Sequence, residues 1–580
     1  MQQKKKSSLR KLLEYIERFK GTLFFICILV FLYVVSKLVG PFLMGYTIDK
    51  YITNNDLIGL KKILIILGTI FFLTSFFNWF QNFLMIRIGS YSIKNLRIDL
   101  FSKMQSLSLR FFDTHSHGEL MSRFTNDIDN INTTLNQSIL EFIANILSLI
   151  GVLIFMIILN FKLALVTIVS TPLIIIITLY IARTTKKNFA LQQERLGALN
   201  GYIDENISGQ KVIKAYGVED ETLEEFKKAN NSLKEVSVKA QIYSGIMGPI
   251  MNGISNINLA LIVGVGAYLT LNGKASVGII VSFINFARQF FQPLNQIANL
   301  YNQLQLAVSG ADRVFEIMDE EAEIVNKQGA KDIKTLDGDV KFSRVFFGYD
   351  KGRMVLKDIN IHAKTGNMVA LIGPTGSGKS TIMNLLTRFY DINSGSINLD
   401  DIEIQDITME SLRKCIGIVL QDTLFFTGTV AENVSYGKSD ATMDEIINAC
   451  KVANVHDAIE KLPDKYNTII NTDTGHLSIG QKQLIAIART VIMDPDILIL
   501  DEATSNIDTR TEAKIQEAMN KIMEGRTSFV IAHRLKTILN ADKIIVLKDG
   551  EVREEGTHKE LLAINGIYSE LYNNQFRLKA

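Results

Sequence analysis

The sequence predicts two domains of different class: an α-helical membrane domain of six spans with long cytoplasmic helix extensions, followed by an α/β domain with a phosphate-binding loop (P-loop). Long runs of Leu, Ile, Phe and Val concentrate in the first 300 residues. Further on, the apolar segment Met368–Ile372 leads directly into Gly-Pro-Thr-Gly-Ser-Gly-Lys-Ser. A chain of 580 residues is also too long for one domain. We expect the membrane domain over 1–320, a linker over 321–337 and the second domain over 338–580.

Composition narrows the class of protein. The net charge is only +2, which argues against a nucleic-acid binder that relies on global positive charge, so we expect no nucleic-acid partner. The three cysteines, Cys27, Cys415 and Cys450, are too few and too scattered for a disulfide framework or a zinc site.

The first half begins with a basic tail that runs into an apolar stretch without a small-residue cleavage site. This arrangement predicts a cytoplasmic anchor rather than a removed signal peptide. A bilayer core of about 30 Å needs about 20 apolar residues in a helix. The spans predicted on this basis are 22–44, 63–86, 138–159, 163–183, 247–271 and 276–299. The first contains Lys37, and the last two are the most polar.

Lys and Arg residues predict the orientation of these spans. The tail and the long loops 87–137 and 184–246 are rich in basic residues, whereas the links 160–162 and 272–275 hold one Lys each. The positive-inside bias therefore places both termini and both long loops in the cytoplasm. Helical propensity in these loops predicts that the spans continue inward as long helices whose tips face the second domain.

Polar residues inside spans are costly in lipid and are candidates for contact with a substrate, although interhelical hydrogen bonding explains most such residues. Arg288 is the strongest candidate because it is charged. The others are Asn78, Gln81, Asn82, Asn252, Asn256, Asn285, Gln289 and Gln292. Abundant Phe residues in these spans suit hydrophobic or amphipathic cargo, and lipid-facing rings are the alternative use for most of them.

The P-loop is the first functional motif in the second half of the sequence. A strand that feeds a glycine-rich turn and then a helix directs backbone N–H groups toward a polyanion. We expect Lys379 to reach the β- and γ-phosphates of a nucleoside triphosphate and the Ser380 hydroxyl to reach Mg²⁺. The predicted phosphate contacts are Gly373, Pro374, Thr375, Gly376, Ser377, Gly378, Lys379, Ser380 and Thr381.

Two later strand ends carry further polar groups. The apolar run from Asp496 ends in Asp501 and Glu502, which suits one acid that holds Mg²⁺ and another that orients the attacking water. Two acids at a strand end are by themselves weak evidence for a hydrolytic site. Together with a P-loop they are strong evidence for one. His533 follows another apolar strand and can face the γ-phosphate; taken alone, a histidine here is more often a surface residue or one with its hydrogen bonds already satisfied.

The order of these pieces resembles that of the ATP-binding cassette (ABC) ATPases, and the resemblance covers the whole chain. The matching motifs are Leu477-Ser-Ile-Gly-Gln481 (the signature), Phe347-Gly-Tyr-Asp350, Val419-Leu-Gln-Asp422 and Ser505-Asn-Ile-Asp508. The six-span half is similar to exporters of the multidrug and lipid-flippase type, through Phe111-Phe-Asp113, Gly118, Ser122-Arg123 and Thr125-Asn-Asp127.

The resemblance implies a role for each matching position. Tyr349 stacks on adenine, Gln421 touches Mg²⁺ and the attacking water, and Asp508 communicates across a dimer interface. Ser478, Gly480 and Gln481 close over an ATP held by the opposite subunit. The implied catalytic set is Glu502, His533, Gln421 and Lys379, and the implied metal set is Ser380, Gln421 and Asp501. Inner tips near 112–122 and 206–217 are the expected coupling helices.

The signature departs from the family pattern at Ile479, where glycine is usual, and the stretch 471–476 departs as well. Glycine permits a close approach to phosphate that a β-branched residue resists. The chain's own pocket keeps its hydrolytic residues, whereas the signature offered to a partner is weakened. We therefore favour a heterodimer with a half-transporter whose nucleotide site is degenerate, over a homodimer.

Together these features predict a half-transporter that uses ATP and Mg²⁺ to export or flip amphipathic, multidrug- or lipid-like compounds. The expected location is the cytoplasmic membrane of a bacterium, with both termini and the cassette inside. Its expected contacts are membrane lipid and a small amphipathic substrate. A homodimeric flippase and a membrane ATPase that acts as a sensor without transport remain alternatives.

Overall fold

The computed structural model describes residues 8–321, 324–350, 352–421, 423–471, 477–501, 508–531 and 535–576. The chain divides into two units. The first, the membrane unit, comprises Met1–Gln105 and Gly118–Asp319, and the second, the cassette unit, comprises Ser106–His117 and Glu320–Ala580. The domain limits expected from the sequence stay predictions, and the structure adds that a piece of the first inner loop groups with the cassette.

Helices build the first part of the chain. They are α1 Ser8–Glu17, α2 Lys20–Thr47, α3 Leu57–Gln105, α4 Leu109–Thr114, α5 His117–Ser122, α6 Ile128–Thr133, α7 Ile139–Leu159, α8 Phe161–Ser208, α9 Gln210–Tyr216, α10 Glu219–Leu271 and α11 Val277–Asp319. Three π-helical segments join them: Ile48–Ile52, Arg123–Asp127 and Thr134–Ser138.

The predicted long helix extensions are confirmed. Helix α3 has 49 residues and α10 has 53. At 1.5 Å per residue such helices reach about 70–80 Å, more than twice the bilayer core of about 30 Å. Each therefore has length left over to extend beyond the hydrocarbon region.

Within the described residues, four helical stretches are long and apolar enough to cross a membrane. They are Lys20–Ile52, Leu57–Gln105, His117–Leu159 and Glu219–Leu271. These contain the predicted spans 22–44, 63–86, 138–159 and 247–271. The predicted spans 163–183 and 276–299 lie in α8 and α11, which are continuous helices. The number of six spans stays a prediction.

The end of α2 and the start of α11 approach one another closely. A Cβ added to Gly278 would lie 2.0 Å from the Gly45 carbonyl oxygen, so a side chain at this position would force the helices apart. Asp49 accepts a hydrogen bond from the Gly278 N–H at 2.8 Å and another from the Ser276 hydroxyl. The carboxylate thus satisfies donors at the start of α11 that would otherwise be unpaired in a helix terminus.

The cassette unit combines sheets and helices, as predicted. Its strands are β1 Val340–Phe347, β2 Leu356–Ala363, β3 Met368–Ile372, β4 Ser394–Leu399, β5 Ile402–Glu403, β6 Ile416–Val419, β7 Gly428–Thr429, β8 Ile469–Ile470, β9 Ile497–Asp501, β10 Thr527–Ile531, β11 Lys543–Lys548 and β12 Glu551–Gly556. Its helices are α12 Lys379–Leu386, α13 Met409–Cys415, α14 Val430–Ser435, α15 Met443–Val452, α16 His456–Ile459, α17 Ile479–Met493, α18 Thr509–Met523, α19 Leu535–Asn540, α20 His558–Ile564 and α21 Ile567–Phe576.

The central sheet has the order β12-β11-β3-β10-β9-β6, and all its neighbours pair in parallel except β12. Its inner strands are buried along most of their length, as is typical of parallel sheets covered on both faces. A second, antiparallel sheet has the order β2-β1-β4-β5. Because β3, β10 and β9 are adjacent and parallel, their carboxyl ends lie at one edge, where ligands bind in such folds.

The cysteines carry no disulfide. Cys415 and Cys450 are buried and Cys27 is exposed, all as free thiols. Burial raises the pKa of Cys450 to about 12, which keeps this thiol protonated and unreactive at neutral pH.

Candidate active site

The P-loop joins β3 to α12, as the sequence predicts. Gly376 and Gly378 adopt positive φ angles of 81° and 102°, which residues with a Cβ rarely adopt. A Cβ on Gly378 would also lie 2.5 Å from a Leu356 methyl carbon, and one on Gly373 would lie 2.2 Å from the Leu547 carbonyl oxygen. The loop conformation therefore depends on glycine at these positions.

Lys379, the first residue of α12, folds back over the loop. Its ammonium donates to the carbonyl oxygens of Gly373 at 2.8 Å and Pro374 at 3.0 Å. Burial lowers the pKa of Lys379, while the negative charge of Asp501 acts to raise it. The positive charge of Lys379 thus lies over the P-loop and interacts electrostatically with the Asp501 carboxylate at the end of β9.

Two hydroxyl groups of the loop differ in their surroundings. Ser377 is buried, and its Oγ has no hydrogen-bond partner among the described residues, so it can accept or donate one bond to a ligand. Ser380, the predicted metal ligand, is exposed and open to an incoming group. Thr381 is buried and accepts a hydrogen bond from the Tyr349 hydroxyl at 3.2 Å.

Tyr349 lies beside α12 rather than standing free. Its ring packs edge-on against Phe347 and Tyr390, each with 5.0 Å between ring centroids. Asn384 donates to its hydroxyl at 3.3 Å. These contacts locate Tyr349 next to the P-loop helix, and its stacking on adenine stays a prediction.

The register of the central sheet brings the predicted catalytic strand ends together. Asp501, the last residue of β9, pairs with Ile531, the last residue of β10, and Ile531 also pairs with Leu371 of β3. The P-loop and Asp501 are thus at the same sheet edge. Glu502 and His533, which follow these strands in sequence, lie outside the described residues. Gln421 follows β6, the neighbour of β9, and is exposed.

The signature segment forms the start of α17. Ser478 and Gln481 make a capping box: the Ser478 Oγ accepts from the Gln481 N–H at 3.2 Å, and the Gln481 Oε1 accepts from the Ser478 N–H at 2.9 Å. Gly480 is buried, whereas Ile479 is 58% exposed. Ile479 is the first residue of the helix, so the departure from glycine does not disturb the local backbone; what it adds is an exposed, bulky side chain.

Asp508 begins α18 by accepting a hydrogen bond from the Thr511 N–H at 2.9 Å. This backbone bond lowers the pKa of the Asp508 carboxyl, which keeps it ionised. Its predicted neighbours Ser505, Asn506 and Ile507 lie outside the described residues.

Helix α4, which overlaps the start of the first predicted inner-loop tip, belongs to the cassette unit and touches Tyr349. In α4, Arg110 donates to the Tyr349 carbonyl oxygen, and Asp113 accepts from the Tyr390 hydroxyl. Sequence analysis placed the tip near 112–122 but missed Arg110 and Tyr390, because no local pattern distinguishes them from other basic and aromatic residues. The second predicted tip contains α9, in the membrane unit.

Four of the candidate substrate residues, Asn78, Gln81, Asn82 and Gln292, line one cavity of the membrane unit. Asn78 accepts a hydrogen bond from the Gln81 side chain at 2.9 Å, and its carbonyl oxygen accepts from Asn82 at 2.8 Å, so this group forms a cluster within α3. Arg288 is exposed. The Asn285 side chain donates to a carbonyl of its own helix. A substrate contact for any of these residues stays a prediction.

Comparisons with known proteins agree with this geometry. The family description "ABC transporter transmembrane region" matches residues 23–294, and "ABC transporter" matches residues 356–505. An uncharacterized ABC transporter ATP-binding protein of Bacillus subtilis, YfiC, is 43% identical over 98% of this chain and 94% of its own length. A fatty acid ABC transporter ATP-binding/permease protein of Mycobacterium tuberculosis is 40% identical over 85% of this chain and 78% of its own length.

A solved structure extends the likeness to three dimensions. A bacterial Atm1-family ABC exporter with ATP bound superposes with a TM-score of 0.78 at 28% identity, over 96% of this chain and 98% of that one. The chain therefore belongs to the ABC transporter family as an exporter half-transporter, a multi-pass membrane protein whose ATP-binding cassette hydrolyses ATP to drive transport.

Proposed function

We propose that this chain is one half of a dimeric exporter that moves amphipathic, multidrug- or lipid-like compounds outward across a bacterial cytoplasmic membrane. The observation that carries the proposal is Tyr349, whose hydroxyl touches α12 while its carbonyl oxygen accepts from Arg110 of the first inner-loop tip. A change at the P-loop can therefore reach the segment that connects α3 to the later membrane helices.

In the proposed cycle, ATP binding closes two cassettes and the inner-loop tips transmit the closure to the spans, which open outward. Lys379 and the P-loop hold the phosphates, and Glu502 orients the attacking water. His533 contacts the γ-phosphate. Hydrolysis removes this phosphate and returns the assembly to its starting state. Ser478 and Gly480 complete the site of the opposite subunit.

The residues present fit Mg²⁺ as the metal. Ser380, Gln421 and Asp501 offer hydroxyl, amide and carboxylate oxygens, the hard ligands that Mg²⁺ prefers. No cluster of three His, Cys, Asp or Glu side chains suited to a metal occurs in the described part of the chain. Such a sparse set depends on phosphate oxygens to complete the coordination, as expected for a metal that arrives with the nucleotide. When bound, the ion neutralises charge that develops on the phosphates.

The membrane unit and a relative support the proposed substrate class. Large apolar side chains are widely exposed on α3, among them Phe72 and Trp79. Most of these face lipid, but a chain whose spans are this apolar suits cargo that partitions into the bilayer. The mycobacterial relative named for fatty acid transport supports an amphipathic substrate for this chain.

Transport in sealed vesicles tests this proposal. The chain, with any subunit that co-purifies, is reconstituted with the cassettes outward, and a fluorescent acyl-chain amphiphile is added outside with ATP. We expect ATP-dependent accumulation of the probe inside, where a membrane-impermeant reductant cannot quench it. ATP hydrolysis without any accumulation across a panel of amphiphiles would contradict the proposal and favour a sensor that does not move cargo.

The proposed partner is a different half-transporter whose own nucleotide site is degenerate. One observation supports a dimer, and a second supports a partner that is a different chain. No hydrogen bond links Ser478–Gln481 to residues 373–381 among the described residues, which suits a signature that serves another subunit. The exposed Ile479 side chain then projects where the family has glycine, and it would crowd the phosphates of the partner's nucleotide.

Changing Ile479 to glycine tests the heterodimer directly. For the chain purified alone, we expect Ile479→Gly to raise ATPase turnover at least about tenfold, because removing the side chain lets the signature close on the opposite ATP; this corresponds to about 1.4 kcal/mol of transition-state stabilisation. Ile469→Gly, at another exposed isoleucine of the cassette, is the control. Robust, substrate-stimulated turnover by the unmutated chain alone would instead support a homodimer.

A further inference from the structure

A polar cavity of about 250 Å³ lies inside the membrane unit, between α2, α3, α7 and α11. Its lining includes Lys37, Gln81, Glu141, Asn145 and Gln296. Each of these residues falls within a predicted span. Gln81, Glu141 and Gln296 are near the predicted cytoplasmic ends of their spans, whereas Lys37 lies in the opposite half of the first span, so the cavity extends toward the middle of the predicted membrane region. A site of this polarity in lipid requires an explanation.

Gln81 gives the first sign of a ligand. Its side chain is only 3% exposed, yet its Oε1 has no hydrogen-bond partner among the described residues. The amide nitrogen of the same side chain is used, since it donates to Asn78 Oδ1 at 2.9 Å. A buried acceptor left unpaired is unfavourable, and a ligand donor that displaces the atoms covering this oxygen would pair it.

The charges give the second sign. Lys37 is partly buried, and its ammonium lies 5.9 Å from the centroid of the Tyr33 ring. No salt bridge of Lys37 or of Glu141 is found in the described part of the chain, although both line the same cavity. A purely structural pair would bring the two charges into contact. Here the cavity instead presents one cation and one anion, separately.

We propose that this cavity binds the zwitterionic head group of an amphiphile, with its anionic group at Lys37, its cationic group at Glu141 and a donor at Gln81 Oε1. The assignment rests on the proposed function and names its substrate class. A purely anionic head group meets repulsion from Glu141, and a purely cationic one meets repulsion from Lys37. The net charge of the pair is zero, which matches a zwitterion.

The volume of the cavity favours a head group, rather than a whole amphiphile, as its occupant. Pockets for drug-sized ligands usually measure about 300–1,000 Å³, larger than this cavity. An acyl tail would therefore remain in the bilayer while the polar end occupies the cavity. This arrangement suits an amphiphile whose tail stays among the lipid chains.

The test measures binding without ATP, using the full-length chain in a nonionic sugar detergent. The zwitterionic probe is a lysophosphatidylethanolamine with a fluorophore at the acyl end, and the anionic probe is a fatty acid with the same fluorophore. Variants are Lys37→Gln and Glu141→Gln, with Lys162→Gln in an outer link as the matched control. Thermal melting and ATP binding check that each variant folds. Free glycerophosphoethanolamine is added as a competitor that lacks a tail.

Lys37→Gln is expected to weaken binding of both probes about tenfold or more, since it removes the charged group that contacts the anionic end of each probe. Glu141→Gln should weaken the zwitterionic probe but strengthen the fatty acid, because it removes repulsion. Lys162→Gln should change neither.

Three results would overturn the proposal: changes below twofold in both variants, equal affinity of the unmutated chain for both probes, or competition by the tail-free head group as strong as that by the lysolipid. Failure of transport with this binding pattern intact would overturn the proposed function alone. Transport that is insensitive to both variants would overturn the cavity assignment alone.

Discussion

Glu502→Gln is expected to lower steady-state ATP hydrolysis by about 10²–10⁴-fold, the range for losing a positioned acid–base group. Glutamine has nearly the same shape but cannot accept the proton of the attacking water. ATP binding should remain within about twofold, because the P-loop and Lys379 are unchanged. Phosphate release and equilibrium binding of a fluorescent ATP analogue measure the two effects separately.

The matched control for this variant is Glu524→Gln, at an exposed glutamate just after α18. It removes the same charge from the same unit, away from the carboxyl edge of the central sheet. Near-normal hydrolysis by Glu502→Gln would show that another group activates the water, and His533 would then be the first candidate.

Lys379→Ala is expected to raise the dissociation constant for ATP by about 10²-fold, or about 3 kcal/mol, the upper range for a charge-assisted hydrogen bond. In sealed vesicles, transport of any amphiphile should fall to the level seen without ATP. The fold should persist, because among the described residues Lys379 donates hydrogen bonds to the Gly373 and Pro374 carbonyl oxygens, which water can reach once the side chain is gone.

Isothermal titration with ATP and a melting curve distinguish lost binding from lost structure. Lys364→Ala, at an exposed lysine before β3, serves as the control and should leave both binding and transport unchanged. Undisturbed cargo movement by Lys379→Ala would remove the link between this P-loop and transport.

The chemistry of the P-loop could be predicted because its parts are contiguous in the sequence. The strand β3, the glycines and the helix that begins at Lys379 follow one another without a gap, and local backbone preference is enough to form such a turn. The structure confirms this arrangement and explains the glycines through the close approach of Leu356 and Leu547. The position of Asp501 at the carboxyl edge of the sheet could also be predicted from the sequence, since parallel strands end on the same side.

The signature was only partly predictable. Its spacing identified Ser478, Gly480 and Gln481, but the sequence could not tell whether Ile479 distorts the backbone or merely adds bulk. The capping box and the helical start at Ile479 decide this, because both depend on how the segment enters α17.

By itself, the sequence determined that a helical membrane domain is joined to an ATP-binding α/β domain, because periodicity, charge and contiguous motifs are local properties. Only the tertiary structure decided that Ser106–His117 joins the cassette unit and that Asp113 meets Tyr390 across 277 positions of the chain. It alone brought Lys37, Gln81 and Glu141 to one cavity. Contacts between distant segments follow from how whole helices and sheets pack, and no local pattern records that packing.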